Sequence, residues 1–346
     1  MPAAQAIERV AGLQSQASAP PFIGLWTRLA DFRESELQDL IDIRAVVRGT
    51  MMRHTIHFVT PADYLWLRPT IQPALDKNYG AQTNKRLAGF DIQPFLDAAR
   101  KGFAERPLTF GEVKQLIRDL DPACDIDAVS YAVRTHLQLI GVPNGSRWRF
   151  GGRAPFVLAD AWLERPVPDT GDPPEMVRRY LTAFGPATPA DATAWSGVGG
   201  MRAVFEELRP ELRTFRDEAG RELFDVPDGL LPDAGTPAPV RILPQFDNTL
   251  LSHKDRTRVV ADEHRQRVYL MPGRVIGTIL LDGFVAAGWK IERKGRQATM
   301  VVEEFRPLNN KERRSMEPEA DALMQFIEPD AEDHQIRHEA AAHADT

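Results

Sequence analysis

Val10–Trp26 reads VAGLQSQASAPPFIGLW, with two glutamines, Gln14 and Gln16, at its centre. Upstream, Ile7, Val10 and Leu13 recur at three-residue spacing, as on one buried helix face, so residues 4–16 are expected to be helical. Downstream, Ala19-Pro20-Pro21 cannot continue a helix, because proline has no N–H to donate and its ring clashes with the preceding turn. The glutamines therefore sit where a helix frays into extended chain. Residues two apart point about 200° apart on a helix and share a side in extended chain. If both glutamines serve one site, the helix must end or distort there. The plain alternative is that they are polar residues finishing a helix.

Working outward, Phe22–Leu29 reads as a short apolar element and Glu34–Ile43 as a helix. Val46–Val59 (VVRGTMMRHTIHFV) has the character of a β-hairpin, turning at Arg48-Gly49 or Arg53-His54. Thr60 and Pro61 suit the cap and first position of a helix running to Tyr79. Helices followed by a hairpin form a winged-helix pattern, and it returns. Thr109 and Glu112 have capping-box spacing ahead of a helix to Leu120. Asp127–Ile140 is expected as a helix, and Gly141–Phe150 as a wing turning at Asn144-Gly145. The third pass has a helix at Glu175–Phe184, a Thr188-Pro189 start for Ala190–Trp195, a helix at Met201–Leu208, and two strands in Leu212–Val226. Proline-rich linkers lie at Arg165–Pro174 and Pro232–Pro239.

Beyond Pro239 the chain turns to short strands: Val240–Pro244, Arg267–Met271, Val275–Leu281, Gly283–Glu292 and Gln297–Glu304. Their spacing suggests a small antiparallel barrel or sandwich. Asn310–Phe326 reads as a closing helix, and the acidic remainder as disordered. The expected fold class is α+β, with divisions at 1–105, 106–172, 173–237, 238–316 and 317–346.

The 346 residues carry a net charge of −6, which argues against nucleic acid until its distribution is seen. Glu317–Thr346 carries −8, whereas Arg241–Arg314 carries +6. Such asymmetry fits a DNA partner, although it also fits a solvated face. One cysteine, Cys124, excludes an intrachain disulfide and any multi-cysteine zinc site. No run is apolar enough to span a membrane, and MPAAQAIERV lacks the regions of a signal peptide. A cytoplasmic, nucleoid-associated monomer is expected, without cofactor or metal.

Several stretches together resemble the AlkZ-like DNA glycosylases, a bacterial winged-helix family. They are GLQSQASAPPFIGLW (12–26), VVRGTMMRHTIHFV (46–59), RRYLTAFGPATPADATAWSG (178–197), ILPQFDNTLLSHKDRTRV (242–259), LLDGFVAAGW (280–289) and EEFRPL (303–308). The resemblance implies three tandem winged-helix units in a C-shape, followed by a β-barrel. It implies excision of alkylated purines, mainly N7 adducts, from double-stranded DNA, and in some members the unhooking of interstrand crosslinks. The family's catalytic motif is Gln–aliphatic–Gln. Gln14 and Gln16 match its glutamines, while Ser15 replaces the aliphatic residue and would need a hydrogen-bond partner if buried. Arg53 and His57 match cleft-lining positions, and His54 stands where many relatives have glycine.

A glutamine is neither acid nor base at pH 7. N7 alkylation makes the purine cationic and already a good leaving group, so holding a water and steadying an oxocarbenium-like sugar suffices. An amide can do both by orientation and dipole. Asp247 is a rival water-orienting group, and its alternative reading is a turn cap. His57 and His253 are further alternatives, ordinarily titrating near neutrality. For DNA phosphates the candidates are Arg53, His57, His253, Lys254, Arg256 and Arg258; Lys254, Arg256 and Arg258 would share one face of extended chain. The competing function is a non-catalytic winged-helix DNA-binding protein or transcriptional regulator. A self-resistance factor against one genotoxin would be a glycosylase with narrow substrate choice.

Overall fold

A computed structural model describes residues 1–271 and 273–340. The chain divides into two compact units: Met1–Ala19 with Phe32–Gly229, and Pro20–Asp31 with the chain from Leu230 onward.

Helix α1 (Ala3–Arg9) is shorter than its apolar spacing suggests. The chain leaves it through left-handed Ala11 and Gly12 (φ 53° and 92°), with Gly12 N–H donating to the Ile7 carbonyl at 2.9 Å. A Cβ on Gly12 would lie 2.9 Å from Val59 Cγ1, so only glycine lets the backbone come this close. Strand β1 (Leu13–Gln14) follows. The prolines begin a helix rather than merely ending one: α2 (Pro20–Trp26) belongs to the second unit. Next come α3 (Glu34–Asp42), β2 (Val47–Thr50), β3 (Ile56–Val59) and α4 (Pro61–Thr83), capped by the Thr60 side chain as its sequence predicts.

Helices α5 (Gln93–Glu105), α6 (Phe110–Leu120) and α7 (Ile126–His136) pack around Phe95, Phe103, Val113, Ile117 and Val133. The Thr109–Glu112 capping box is present. Helix α7 stops four residues before the expected end, because Leu139–Gly141 is strand β4. The expected wing at 141–150 is a loop tied by Asn144, which donates to the Gly151 carbonyl and accepts from Ser146 N–H. Its partner strand β5 comes later, at Phe156–Leu158. Then follow α8 (Ala159–Leu163), α9 (Pro173–Phe184), α10 (Pro189–Ser196), α11 (Met201–Leu208), and the hairpin β6 (Arg213–Arg216) and β7 (Glu222–Asp225).

The first two hairpins share one sheet of order β1-β3-β2-β4-β5, joined by Gly49 pairing with Ile140. A Cβ at Gly49 would meet Tyr64 Cε2 at 2.8 Å, so the seam also depends on a bare backbone. Helices α9–α11 bury Tyr180, Trp195 and Phe205 in a cluster with Met51, Tyr64 and Ile71.

The second unit contains β8 (Arg241–Leu243), α12 (Asn248–Leu251), α13 (Arg265–Val268), β9 (Tyr269–Met271), β10 (Arg274–Val275), β11 (Gly277–Leu281), β12 (Phe284–Lys294), β13 (Gln297–Glu304) and α14 (Asn310–Ile327). Residues 333–340, expected to be disordered, form strand β14, parallel and in register with β13. The sheet order is β14-β13-β12-β11-β8, and β9 and β10 pair separately. Acidic composition misled here because a full backbone ladder holds β14. Polar bonds add to it: Arg337 to Glu292 and Glu339, and His338 to Glu304 at 3.0 Å. The rest of the acidic tail, 341–346, lies outside the described residues.

Candidate active site

The corner at Ala11–Gly12 turns the two-glutamine stretch into extended chain. Leu13 pairs with Phe58 and Gln14 with His57, and Ser15 N–H continues the ladder by donating to the Ile56 carbonyl at 2.6 Å. The three side chains have different environments. Gln14 is 6% exposed, Ser15 is fully buried and Gln16 is exposed.

Gln14 is held in one orientation. Its Oε1 accepts from Arg53 Nη2 at 2.9 Å, and Arg53 Nη1 donates to the Trp195 carbonyl near the end of α10. Arg53 thus braces Gln14 against a second part of the same unit. It sits in a turn where Arg53 and His54 both have positive φ, 55° and 61°. Such backbone strain persists only where surrounding contacts outweigh it, and here they do. The Tyr131 hydroxyl donates to His54 Nδ1 at 2.9 Å, and Nε2–H donates to Thr135 Oγ1 at 3.3 Å. The rings of His54 and Tyr131 stack at 4.7 Å.

Neither histidine is poised to exchange protons near pH 7. Burial, followed by the charges of Arg134, Arg68 and His136, lowers the His54 pKa to about 4. Burial and then Arg53 lower His57 to about 3, against a small upward pull from the Thr55 carbonyl. His57 has no exposed surface, so as it stands it does not reach a phosphate. Its Nδ1–H donates to the Thr55 carbonyl at 3.2 Å, and Nε2 has no partner.

Ser15 finds its partner in a residue that sequence reasoning passed over. Arg48 Nε donates to Ser15 Oγ at 3.1 Å, and Nη2 donates to the Ser15 carbonyl at 2.9 Å. The signal was present: a charged residue in an apolar strand and a serine at an apolar position each need a partner. Gln16 and Arg48 line one open cavity of about 640 Å³. Gln16 Oε1 accepts only a long bond, 3.4 Å, from Ile56 N–H.

The other candidates lie in the second unit, and several are committed to structure. Asp247 caps α12 by accepting from Thr249 N–H at 2.9 Å and forms a two-pronged ion pair with Arg28 at 2.7 and 2.8 Å. Burial pushes its carboxyl up, but Arg28 and Thr249 outweigh this and hold it below the ordinary range. Residues 253–258 are not extended. Asp255 accepts from Thr257 N–H and Oγ1–H, folding the segment into turns, so Lys254, Arg256 and Arg258 do not alternate on one face. Arg256 points inward, donating to the Leu250 carbonyl at 2.6 Å and lying over the Tyr269 ring. Lys254 and Arg258 are exposed, and Arg258 donates to His253 Nε2 at 3.0 Å. Among the described residues, no helix is long and apolar enough to cross a membrane.

The sequence matches the family described as DNA glycosylase AlkZ-like over residues 7–326. A relative from Streptomyces sahachiroi, named an interstrand DNA cross-link repair glycosylase, is 26% identical over 315 residues, covering 84% of this chain and 82% of the relative. The fold is similar to the solved structure of the Streptomyces sahachiroi DNA glycosylase AlkZ, with a TM-score of 0.75 at 19% identity, over 99% of this chain and 94% of the other. A family match of this length, over residues 7–326, makes the protein a member of the AlkZ-like DNA glycosylase family.

Proposed function

We propose that the protein is a monofunctional DNA glycosylase, acting as a monomer on double-stranded DNA and excising N7-alkylated purines by hydrolysis. The observation that carries this reading is the contrast between the glutamines: Gln14 is anchored through Arg53, while Gln16 is exposed at a cavity. In this reading the three helix–helix–hairpin segments of the first unit are winged-helix modules, and the strands of the second are a small barrel.

The chemistry follows from the amides. Water attacks C1′ of the sugar as the C1′–N9 bond breaks, and the bonding pair leaves with the cationic base, which departs neutral. The surplus water proton passes to solvent. Gln14 Oε1 accepts one bond from Arg53, which leaves its NH₂ available to the reaction. Gln16 Oε1 retains accepting capacity, so it orients the water and faces the positive charge growing on the sugar. No step needs a group titrating near pH 7, consistent with the low pKa values of His54 and His57. The name of the Streptomyces relative extends the proposed substrates to interstrand crosslinks.

The test is excision from a duplex carrying one N7-methylguanine. Wild type should generate alkali-labile sites, and Gln16→Ala should lose activity at least a hundredfold while binding DNA equally well. Binding without excision on this lesion, and on bulky N7 adducts and crosslinks, would overturn the proposal in favour of a regulator.

A further inference from the structure

The 640 Å³ cavity beside Gln16 is lined by three cationic side chains, Arg48, Lys114 and Arg153, and by no acidic one. Lys114 has a partner outside it, Asp127 at 2.6 Å. Glu112, next to the rim in sequence, is turned back onto Thr109 N–H and Arg106. Arg153 is exposed and forms no ion pair with a described carboxylate.

Arg48 is the unusual member. It is only 7% exposed, and among the described residues no carboxylate lies within ion-pairing distance. Burial and the charge of Arg134 both act against its proton, bringing its pKa to about 10, and no neighbouring anion offsets them. Its guanidinium lies 4.9 Å from the Phe150 ring centroid, and Nε and Nη2 are used by Ser15. Nη1 makes no hydrogen bond to any described residue. A buried cation without a counter-charge is costly, and one that keeps a donor free beside a cavity suits an anion supplied from outside.

We infer that Arg48 binds a phosphate of the lesion-bearing strand, next to the alkylated nucleotide, and that Ser15 is a positioning residue tying this phosphate site to the two glutamines. Both Ser15 acceptors hold one edge of the guanidinium, and the Ser15 peptide joins Gln14 to Gln16. A phosphate seated on Arg48 therefore fixes the register of the adjacent sugar against Gln16. The inference rests on the glycosylase reading for its catalytic consequence, but not for the contact itself.

The experiment uses the full chain and the N7-methylguanine duplex, with each phosphate flanking the lesion replaced in turn by a neutral methylphosphonate. In wild type, one replacement should lower kcat/KM about tenfold, the scale of a charge-assisted hydrogen bond. Arg48→Gln should lose about tenfold on the ordinary duplex and nothing more from that replacement. Arg48→Lys should keep the sensitivity in weaker form. Ser15→Ala, which leaves the carbonyl acceptor, should fall between wild type and Arg48→Gln. The inference is overturned if no flanking phosphate matters in wild type, or if the losses multiply in Arg48→Gln at every position. If Arg48→Gln does not fold, the wild-type scan and the lysine variant decide. If wild type binds without excising, the glycosylase reading fails separately, and the same scan read as Kd decides the phosphate contact.

Discussion

Replacing Asp247 separates a structural carboxylate from a catalytic one. Its side chain is 1% exposed and that of Arg28 is 21% exposed, with two bonds between them and a third to Thr249 N–H. Removing one partner of a buried pair costs about 3–5 kcal/mol. The guanidinium retains some contact with water, so Asp247→Ala belongs at the lower end, about 3 kcal/mol. Asp247→Asn keeps one oxygen for Thr249 or Arg28 and should cost about 2 kcal/mol. Arg28→Met strands the more deeply buried member and should cost about 3–5 kcal/mol. Joint replacement by apolar residues should recover much of the loss. Urea unfolding, followed by the fluorescence of Trp26 and Trp289 in the same unit, measures these differences. The native carboxyl lies below its ordinary value, so its stabilisation is present above the unfolded pKa and is lost as pH falls through the native one. An Asp247→Asn protein with an unchanged urea midpoint and excision reduced more than a hundredfold would refute this reasoning and restore Asp247 as the group that orients water.

Four further outcomes follow from the geometry. Arg53→Lys preserves charge but cannot span Gln14 and the Trp195 carbonyl, so single-turnover excision should fall at least tenfold with little change in Kd; equal losses in both would make Arg53 a DNA contact instead. Excision should be flat between about pH 5.5 and 8, because His54 and His57 stay neutral there, whereas a rate following a pKa near 6.5 would contradict their burial. Stability should nevertheless fall on acidification: unfolded His57 takes up a proton below about pH 6.5 and folded His57 does not, costing on the order of 2 kcal/mol between pH 7 and 5. His57→Gln should remove that share of the dependence in denaturant melts and leave the share of His54. Ending the chain before Asp333 would bare the β13 edge, so the shortened protein should aggregate on heating more readily than the full chain in light scattering.

Much of the local structure was legible because it rests on local chemistry. Thr60 and Pro61, Thr109 with Glu112, and Thr188 with Pro189 mark helix starts that depend only on nearby residues. The strands from Arg241 to Glu304 were visible as β-branched segments between turns. What escaped depends on distant chain. Ile7, Val10 and Leu13 have helical spacing, but contact with Val59 requires the chain to turn at Gly12 and end the helix. The join of β2 to β4 depends on Gly49 meeting Ile140, and β14 depends on a strand already in place. The two glutamines stood out in the sequence as a motif, and the structure puts Gln14 at the end of β1 and Gln16 two residues beyond it. Their support did not stand out: Arg53 reaches the Trp195 carbonyl 142 residues away, and Arg48 reaches Ser15 across 33. The cationic alternation at 254–258 failed because Asp255 folds its own segment before a strand can form.

The placement of Pro20–Asp31 in the second unit has a consequence for how the protein is made. This segment leaves the ribosome early, carrying Phe22, Ile23 and Leu25, all buried in the finished fold. Arg28 must wait for Asp247, encoded 219 residues later. At roughly 5–20 residues per second, the delay is about 10–45 s. Throughout it, an apolar helix-forming segment interrupts the first unit without its final partners. Nascent chains arrested between residues 229 and 247 should therefore be the most chaperone-dependent and the most readily cleaved near Pro20–Asp31. Synthesis through α12 should remove that vulnerability.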